Sequence, residues 1–343
     1  MKTFKAAILR ELGKPLSIEE LILPDPEPTQ VVVKNDFSGV CRSQLMEVSG
    51  GRGPDKWLPH LLGHEAVGTI YKVGAGVRKV TPGQKVVTSW LNSSGQDGPT
   101  PTFKTVAGET INAGKTATFA EFSIVPENKV FTKPAAFDDV EAVLLGCAIP
   151  TGAGMVLTEH TPNYTDKIVI IGLGGIGLSV LITCLALDLK NITVVDVNLD
   201  KLKIAEELGI TECHHIKSSE FKEFLPQNKG LFDVCFEAGG TTSSIEAGFN
   251  MIKDTGVLVF ASHPPSGEKI SIDPHELIRG KKIIGTWGGG GLIDESIKKL
   301  EILKINKKLS IANLIGNFYE FENINIALND LLDSKTIRPI IRF

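Results

Sequence analysis

The sequence predicts an α/β protein of two domains, one irregular and mostly β, the other built on a doubly wound parallel sheet. Three observations predict this. The chain has 343 residues, more than a single core usually serves. Its first 148 or so residues hold short β-like runs separated by turns. From about 149, continuous apolar runs alternate with helical stretches, as they do when helices cover both faces of a parallel sheet.

The elements follow in order. Val31-Val32-Val33-Lys34 is a strand run, Gly68 to Val73 alternates at period two, and Pro82-Gly83 is a turn before the run Lys85-Val86-Val87. In the second half, Lys167 to Ile171 is a continuous apolar strand, followed by glycines and an apolar helix over Ile176 to Leu187. Ile192 to Asp196 is the next strand, and Leu199 to Leu208 an amphipathic helix closed by Gly209. Phe232 to Phe236 and Val257 to Ala261 are further strands, and Asp294 to Ile302 a helix.

Composition excludes several classes. Apolar residues make up 42% and charged residues 22%, and the net charge is −4 with no Lys/Arg block, which argues against a nucleic-acid partner. No run of roughly 18 apolar residues marks a membrane span, and the N-terminus lacks the apolar core of a secretory signal. A cytoplasmic protein is therefore expected. The five cysteines, Cys41, Cys147, Cys184, Cys213 and Cys235, are scattered and odd in number, unlike a disulfide framework.

Gly172-Leu173-Gly174-Gly175-Ile176-Gly177 fits G-x-G-x-x-G and lies between a predicted strand and a predicted helix, the context in which that pattern cradles a pyrophosphate. Asp196 closes the following strand. A carboxylate there accepts hydrogen bonds from the adenosine ribose and repels a 2′-phosphate, which favours NAD over NADP. Without a ligand, the same residues would be a glycine turn and a strand-end acid.

Cys41, His64 and Cys147 form a candidate zinc set. Two thiolates and an imidazole leave the fourth tetrahedral position open, as catalytic zinc requires. Their wide separation leaves the other reading standing, in which each cysteine is a small buried hydrophobe.

The segments Gly39 to Ser43, Gly63 to Gly68, Gly146 to Gly154 and Gly172 to Gly177 with Asp196 together resemble the zinc-containing alcohol dehydrogenases of the medium-chain dehydrogenase/reductase superfamily. Val195 to Lys201, Thr211-Glu212-Cys213, Phe236-Glu237 and Gly280 to Gly290 are most similar to the classical alcohol and glutathione-dependent formaldehyde dehydrogenase branch. The resemblance spans the chain. It implies a GroES-like catalytic domain over 1–148, a Rossmann NAD-binding domain over 149–288, and a return to the catalytic domain over 289–343. It implies one catalytic zinc per chain on Cys41, His64 and Cys147, with Glu65 behind the metal or as a transient ligand, and Ser43 taking the alcohol proton. Arg42 and Arg338 would contact the cofactor pyrophosphate, Thr151 the nicotinamide, and Lys201 the adenosine ribose, beside Gly172, Gly174, Gly175, Ile176, Gly177 and Asp196. The implied activity is hydride transfer between a small alcohol, or its aldehyde or ketone, and NAD, in a homodimer or homotetramer.

Three departures stand out. Ser89 to Thr118 contains no cysteine, where relatives carry a four-cysteine lobe, so no structural zinc is expected. Gln44 stands where relatives place an aspartate beside the zinc-bound histidine, and Met46 where many place a relay histidine, although a thioether carries no proton. Three other functions remain. A polyol, sugar or amino-sugar dehydrogenase would use the same zinc and NAD, though Gly146-Cys147 argues against the polyol branch. The others are a zinc-free quinone or enone reductase and a non-catalytic NAD-binding regulator. The remaining histidines (His60, His160, His214, His215, His263, His275) are read as ordinary surface or interior groups, and Gly288 to Gly291 as either a hinge or a close approach to the cofactor.

Overall fold

The computed structural model describes residues 2–216 and 226–343 and divides them into two compact units. The first comprises residues 1–147, 292–301 and 314–343. The second comprises 148–291 and 302–313, so the last part of the chain contributes to both.

The first unit carries β1 (Thr3–Leu9), β2 (Ser17–Ile22), β3 (Gln30–Gly39), β4 (His60–Leu61), β5 (Glu65–Val73), β6 (Lys85–Ser89), β7 (Thr102–Thr105), β8 (Thr110–Asn112), β9 (Phe122–Pro126) and β10 (Val130–Thr132). Strands β1, β2, β7, β8 and β4 close into a barrel. Its inward residues alternate with outward ones. They form a core of Phe4, Leu21, Phe103, Ile111 and Phe122, with Phe4 meeting Phe103 and Phe122 edge to face. Strands β10, β6, β5 and β3 continue as a second sheet, with β9 also paired to β3. The predicted Val31–Val33 run lies inside β3 and the Gly68–Val73 alternation inside β5. One short helix, α1 (Arg42–Ser49), follows β3 directly and stops at Gly50, whose φ of 76° ends the turn.

The loop after β6 is tied by charge. Glu127, at the end of β9, accepts the backbone N–H groups of Arg78, Lys79 and Gln96. The buried Lys129 ammonium donates to Trp90 O and Asn92 Oδ1, and Lys79 donates to Ser93 Oγ, Ser94 O and Val130 O. Two ammonium groups thus supply, at this loop, the multidentate anchoring that a metal with four ligands would give.

The second unit is built on a parallel sheet of β11 (Ile168–Ile171), β12 (Ile192–Asp196), β13 (Glu212–His215), β14 (Phe232–Glu237), β15 (Ile252–Phe260) and β16 (Lys282–Gly285). Their order is β13-β12-β11-β14-β15-β16, and every pair is parallel. The order reverses between β11 and β14, the switch point at which such sheets bind dinucleotides. Helices Gly175–Ala186 and Leu199–Glu207 cover it, the second capped by Asn198, which accepts the N–H groups of Asp200 and Lys201. Strands β17 (Phe318–Glu320) and β18 (Ile340–Arg342) belong to the first unit, where β18 pairs with β3.

Gly288 to Gly291 all adopt positive φ. A Cβ on Gly289 would lie 2.4 Å from Pro150 O, and one on Gly154 would lie 2.2 Å from Gly289 O. Gly289 is therefore glycine because its backbone packs against the backbone of the helix Ala148–Gly154, and the positive φ of its neighbours favours glycine along the run.

Candidate metal centre and nucleotide turn

Cys41, His64 and Cys147 come together in the first unit. One ligand atom from each lies within 4.8 Å of the others, with His64 Nε2 3.3 Å from Cys147 Sγ. Cys41 caps α1, His64 directly precedes β5, and Cys147 follows a short 3-10 turn, Leu144–Gly146. Two glycines make the approach possible. A Cβ on Gly146 would stand 2.6 Å from Thr88 O, and one on Gly39 would stand 2.5 Å from Glu65 Oε1.

The three side chains are electrostatically coupled. A hydrogen bond from Cys147, aided by the charge of Arg338, holds the Cys41 thiol well below its ordinary pKa. The same bond, with burial, pushes Cys147 up, since two thiolates side by side repel. Burial would lower His64, but the Cys41 thiolate outweighs it and raises the imidazole. A pocket with one thiolate, a second thiol in contact with it and an imidazole nitrogen, all turned toward one point, is the donor set of tetrahedral zinc.

Behind these three lies a buried ion pair. Arg338 Nη1 donates to Glu65 Oε1 at 2.7 Å, and Nη2 lies 3.9 Å from Cys147 Sγ. Glu65 is 0% exposed and Arg338 4%. Arg338 is thus no solvated surface charge: it sits against the metal ligands and their neighbouring carboxylate, a partnership the sequence reading did not foresee. Ser43 stands in the first turn of α1. Its Oγ is buried and has no hydrogen-bond partner among the described residues, the state of a hydroxyl kept for a ligand. Arg42 is exposed on α1. Gln44 is buried between Cys41 and His64, and the His64 ring also meets Trp90 edge on at 6.3 Å.

The glycine turn stands in the second unit, where β11 meets its helix. Gly172 takes φ of 87°, and a Cβ on Gly177 would lie 1.7 Å from Gly172 O, so only hydrogen fits there. A Cβ on Gly174 would meet nothing within 4 Å. That open space lies at the N-terminus of the helix Gly175–Ala186, beside Gly175 and the half-buried Ile176, where unpaired N–H groups favour a phosphate. Asp196 accepts the N–H of Leu173 at 2.5 Å and that of Asn198 at 2.7 Å, so it fixes the glycine turn as well as ending β12. Each of its oxygens keeps a further lone pair for a ribose hydroxyl. Lys201 is half-buried near the start of the next helix, and Thr151 is buried in the helix Ala148–Gly154. Glu237, at the end of β14, accepts from Ser244, Ser262 and Gly239, and its burial raises its pKa.

A chain that pairs a thiolate–imidazole metal pocket with a glycine turn at the switch point of a parallel sheet has the parts of a metal-dependent dinucleotide dehydrogenase. Comparison with known proteins makes this specific. Residues 27–135 match the alcohol dehydrogenase GroES-like domain, and residues 175–304 match the zinc-binding dehydrogenase domain. The chain belongs to the zinc-binding alcohol dehydrogenases of the medium-chain dehydrogenase/reductase superfamily. Solved structures of similar fold include an alcohol dehydrogenase zinc-binding domain protein from Burkholderia ambifaria, with 24% identity, TM-score 0.89, and coverage of 100% of this chain and 99% of that one. Benzyl alcohol dehydrogenase from Acinetobacter calcoaceticus shares 24% identity at TM-score 0.88, with both chains covered in full at 100%. A dehydrogenase from Escherichia coli CFT073, solved with NADH, shares 20% identity at TM-score 0.81, again with 100% of both chains covered.

The protein is thus a zinc-dependent oxidoreductase of the alcohol dehydrogenase type. Among the described residues no single helix is long and apolar enough to cross a membrane.

Proposed function

We propose that this protein oxidises a small alcohol with NAD, or reduces the matching aldehyde or ketone with NADH, using one zinc ion held by Cys41, His64 and Cys147. The observation that carries the reading is the convergence of these three residues, distant in sequence, with a serine two positions from Cys41 whose buried hydroxyl has no partner among the described residues. Zinc, when bound, supplies a Lewis acid for the alcohol oxygen, and the nicotinamide takes up the hydride.

The chain's own groups do the rest. Ser43 Oγ accepts the hydrogen bond of the substrate hydroxyl and moves its proton outward. With Met46 in the relay position, water must carry that proton on. The Glu65–Arg338 pair places a carboxylate behind the ligands and keeps its charge compensated. The Gly172–Gly177 turn binds pyrophosphate, and Asp196 accepts from the ribose and disfavours a 2′-phosphate. Lys201 reaches the ribose, Thr151 packs on the nicotinamide, and Arg42 adds positive charge for the pyrophosphate, whereas Arg338, which the resemblance implied as a second pyrophosphate contact, is committed to Glu65. The Val195–Asn198 and Gly280–Gly290 segments support the classical alcohol and formaldehyde branch. A homodimer or homotetramer in the cytoplasm completes the reading.

The test is a panel of primary, secondary, aromatic and polyhydroxy alcohols, with NAD and NADP, on protein of measured zinc content. The reading requires turnover that scales with zinc and prefers NAD. Full activity of zinc-free protein, or a preference for NADP, would contradict it. A panel responding to polyols alone would move the substrate to the polyol class.

A further inference from the structure

Gln44 is 1% exposed and sits three residues into the α1 turn, between two groups that compete for its amide. Its Oε1 accepts the backbone N–H of Cys41 at 2.9 Å, which closes the N-terminus of α1. That bond fixes which end of the amide faces the other way. Gln44 Nε2 therefore points at His64 Nδ1, 2.6 Å distant. An amide NH2 only donates, so Nδ1 accepts. In neutral imidazole the ring proton must then sit on Nε2, the nitrogen that faces Cys147 Sγ at 3.3 Å. Nε2 is also the nitrogen a metal in this pocket would need with its lone pair bare.

We propose that Gln44 is a positioning residue that sets the metal affinity of the site, by holding metal-free His64 in the tautomer that carries its proton on the ligating nitrogen. The inference rests on the zinc reading above. Loading the metal moves the ring proton to Nδ1, where Nδ1–H meets the NH2 of Gln44, donor against donor. Turning the amide over repairs that contact, but then the NH2 meets the Cys41 N–H. Either way one buried donor in this cluster loses its acceptor, so metal uptake is coupled to the cap of α1. A carboxylate of the same length, which accepts on both oxygens, serves Cys41 N–H and His64 Nδ1–H together and removes the conflict. Groups that orient a ligating histidine typically change metal affinity by about 10–100-fold, and that is the range expected here.

The test uses the full-length protein stripped of metal, with zinc alone as the probe. Zinc affinity is measured by chelator competition for wild type and Gln44→Glu. The variant is expected to bind at least about tenfold more tightly. Equal or weaker binding by Gln44→Glu overturns the proposal, while failure of wild type to bind zinc through Cys41, His64 and Cys147 overturns the zinc reading itself. Because the variant also adds charge, a second measurement needs no substitution. Nitrogen-15 spectra should show His64 protonated on Nε2 in metal-free wild type and on Nδ1 once zinc is bound. A ring protonated on Nδ1 before metal is present would also overturn it.

Discussion

Replacing Arg338 by methionine keeps most of the side-chain stem but deletes the guanidinium that meets Glu65 at 2.7 Å in a site where neither residue is more than 4% exposed. Charge centres about 4 Å apart attract by about 4 kcal/mol at an effective dielectric of about 20. Removing one partner of a buried pair typically costs about 3–5 kcal/mol, because the other charge stays desolvated. For a unit of this size about 2–4 °C is lost per kcal/mol, so Arg338→Met should lower the melting transition of the first unit by roughly 6–20 °C. Calorimetry on metal-free protein reads this without the stabilisation that bound zinc adds. The double variant Arg338→Met with Glu65→Gln should recover part of the loss, since it removes the buried carboxylate that the single variant leaves unpaired. A single variant that melts within about 3 °C of wild type, or a double variant that loses the sum of both, would refute the buried-pair argument.

Three further predictions concern other parts of the chain. Gly174→Ala adds a methyl into open space, so stability should change by no more than about 1 kcal/mol while NADH affinity, read by fluorescence, falls at least roughly tenfold. Gly177→Ala instead drives a Cβ to 1.7 Å from Gly172 O and should destabilise the second unit by about 3 kcal/mol or more. Lys129→Met strips the donors from Trp90 O and Asn92 and should cost about 1–3 kcal/mol, seen as faster hydrogen exchange over residues 90–98. Exchange there in wild type should not respond to a chelator. Glu237→Gln addresses pH. Burial raises the Glu237 carboxyl above its ordinary value, so the unfolded chain ionises first and stability is lost as pH climbs from about 4.5 toward the raised value. In urea titrations the glutamine variant should gain on wild type across that window and hold its advantage at higher pH. A difference that stays constant with pH would contradict the assignment.

Much of the second unit was legible because strands buried on both faces must be continuously apolar. Ile168–Ile171 and Ile192–Asp196 announce themselves in that way, and the glycines between strand and helix mark the turn. Strand β13 was not foreseen, since Glu212 to His215 lies at a sheet edge and is polar. Strand β15 begins at Ile252, five residues before its apolar run, because Lys253 to Thr255 are exposed. The barrel was illegible as a barrel: β4 has 2 residues and β8 has 3, too short for any period to show. The metal ligands were found through motif types, yet the groups around them were not. Arg338 meets Glu65 across 273 positions, and Lys129 meets Asn92 across 37, and no local pattern encodes such contacts. Gln44 stood out in the sequence as an amide beside a ligand histidine. Its oxygen is committed to the helix cap, a commitment no sequence pattern signals.

X-ray absorption at the zinc edge of the purified protein, with metal content measured on the same sample, probes the shared centre most directly. One zinc per chain is predicted, with two sulfur neighbours at about 2.3 Å and a histidine nitrogen at about 2.0–2.1 Å. Zinc surrounded only by oxygen and nitrogen would contradict the assignment of Cys41, His64 and Cys147 as its ligands.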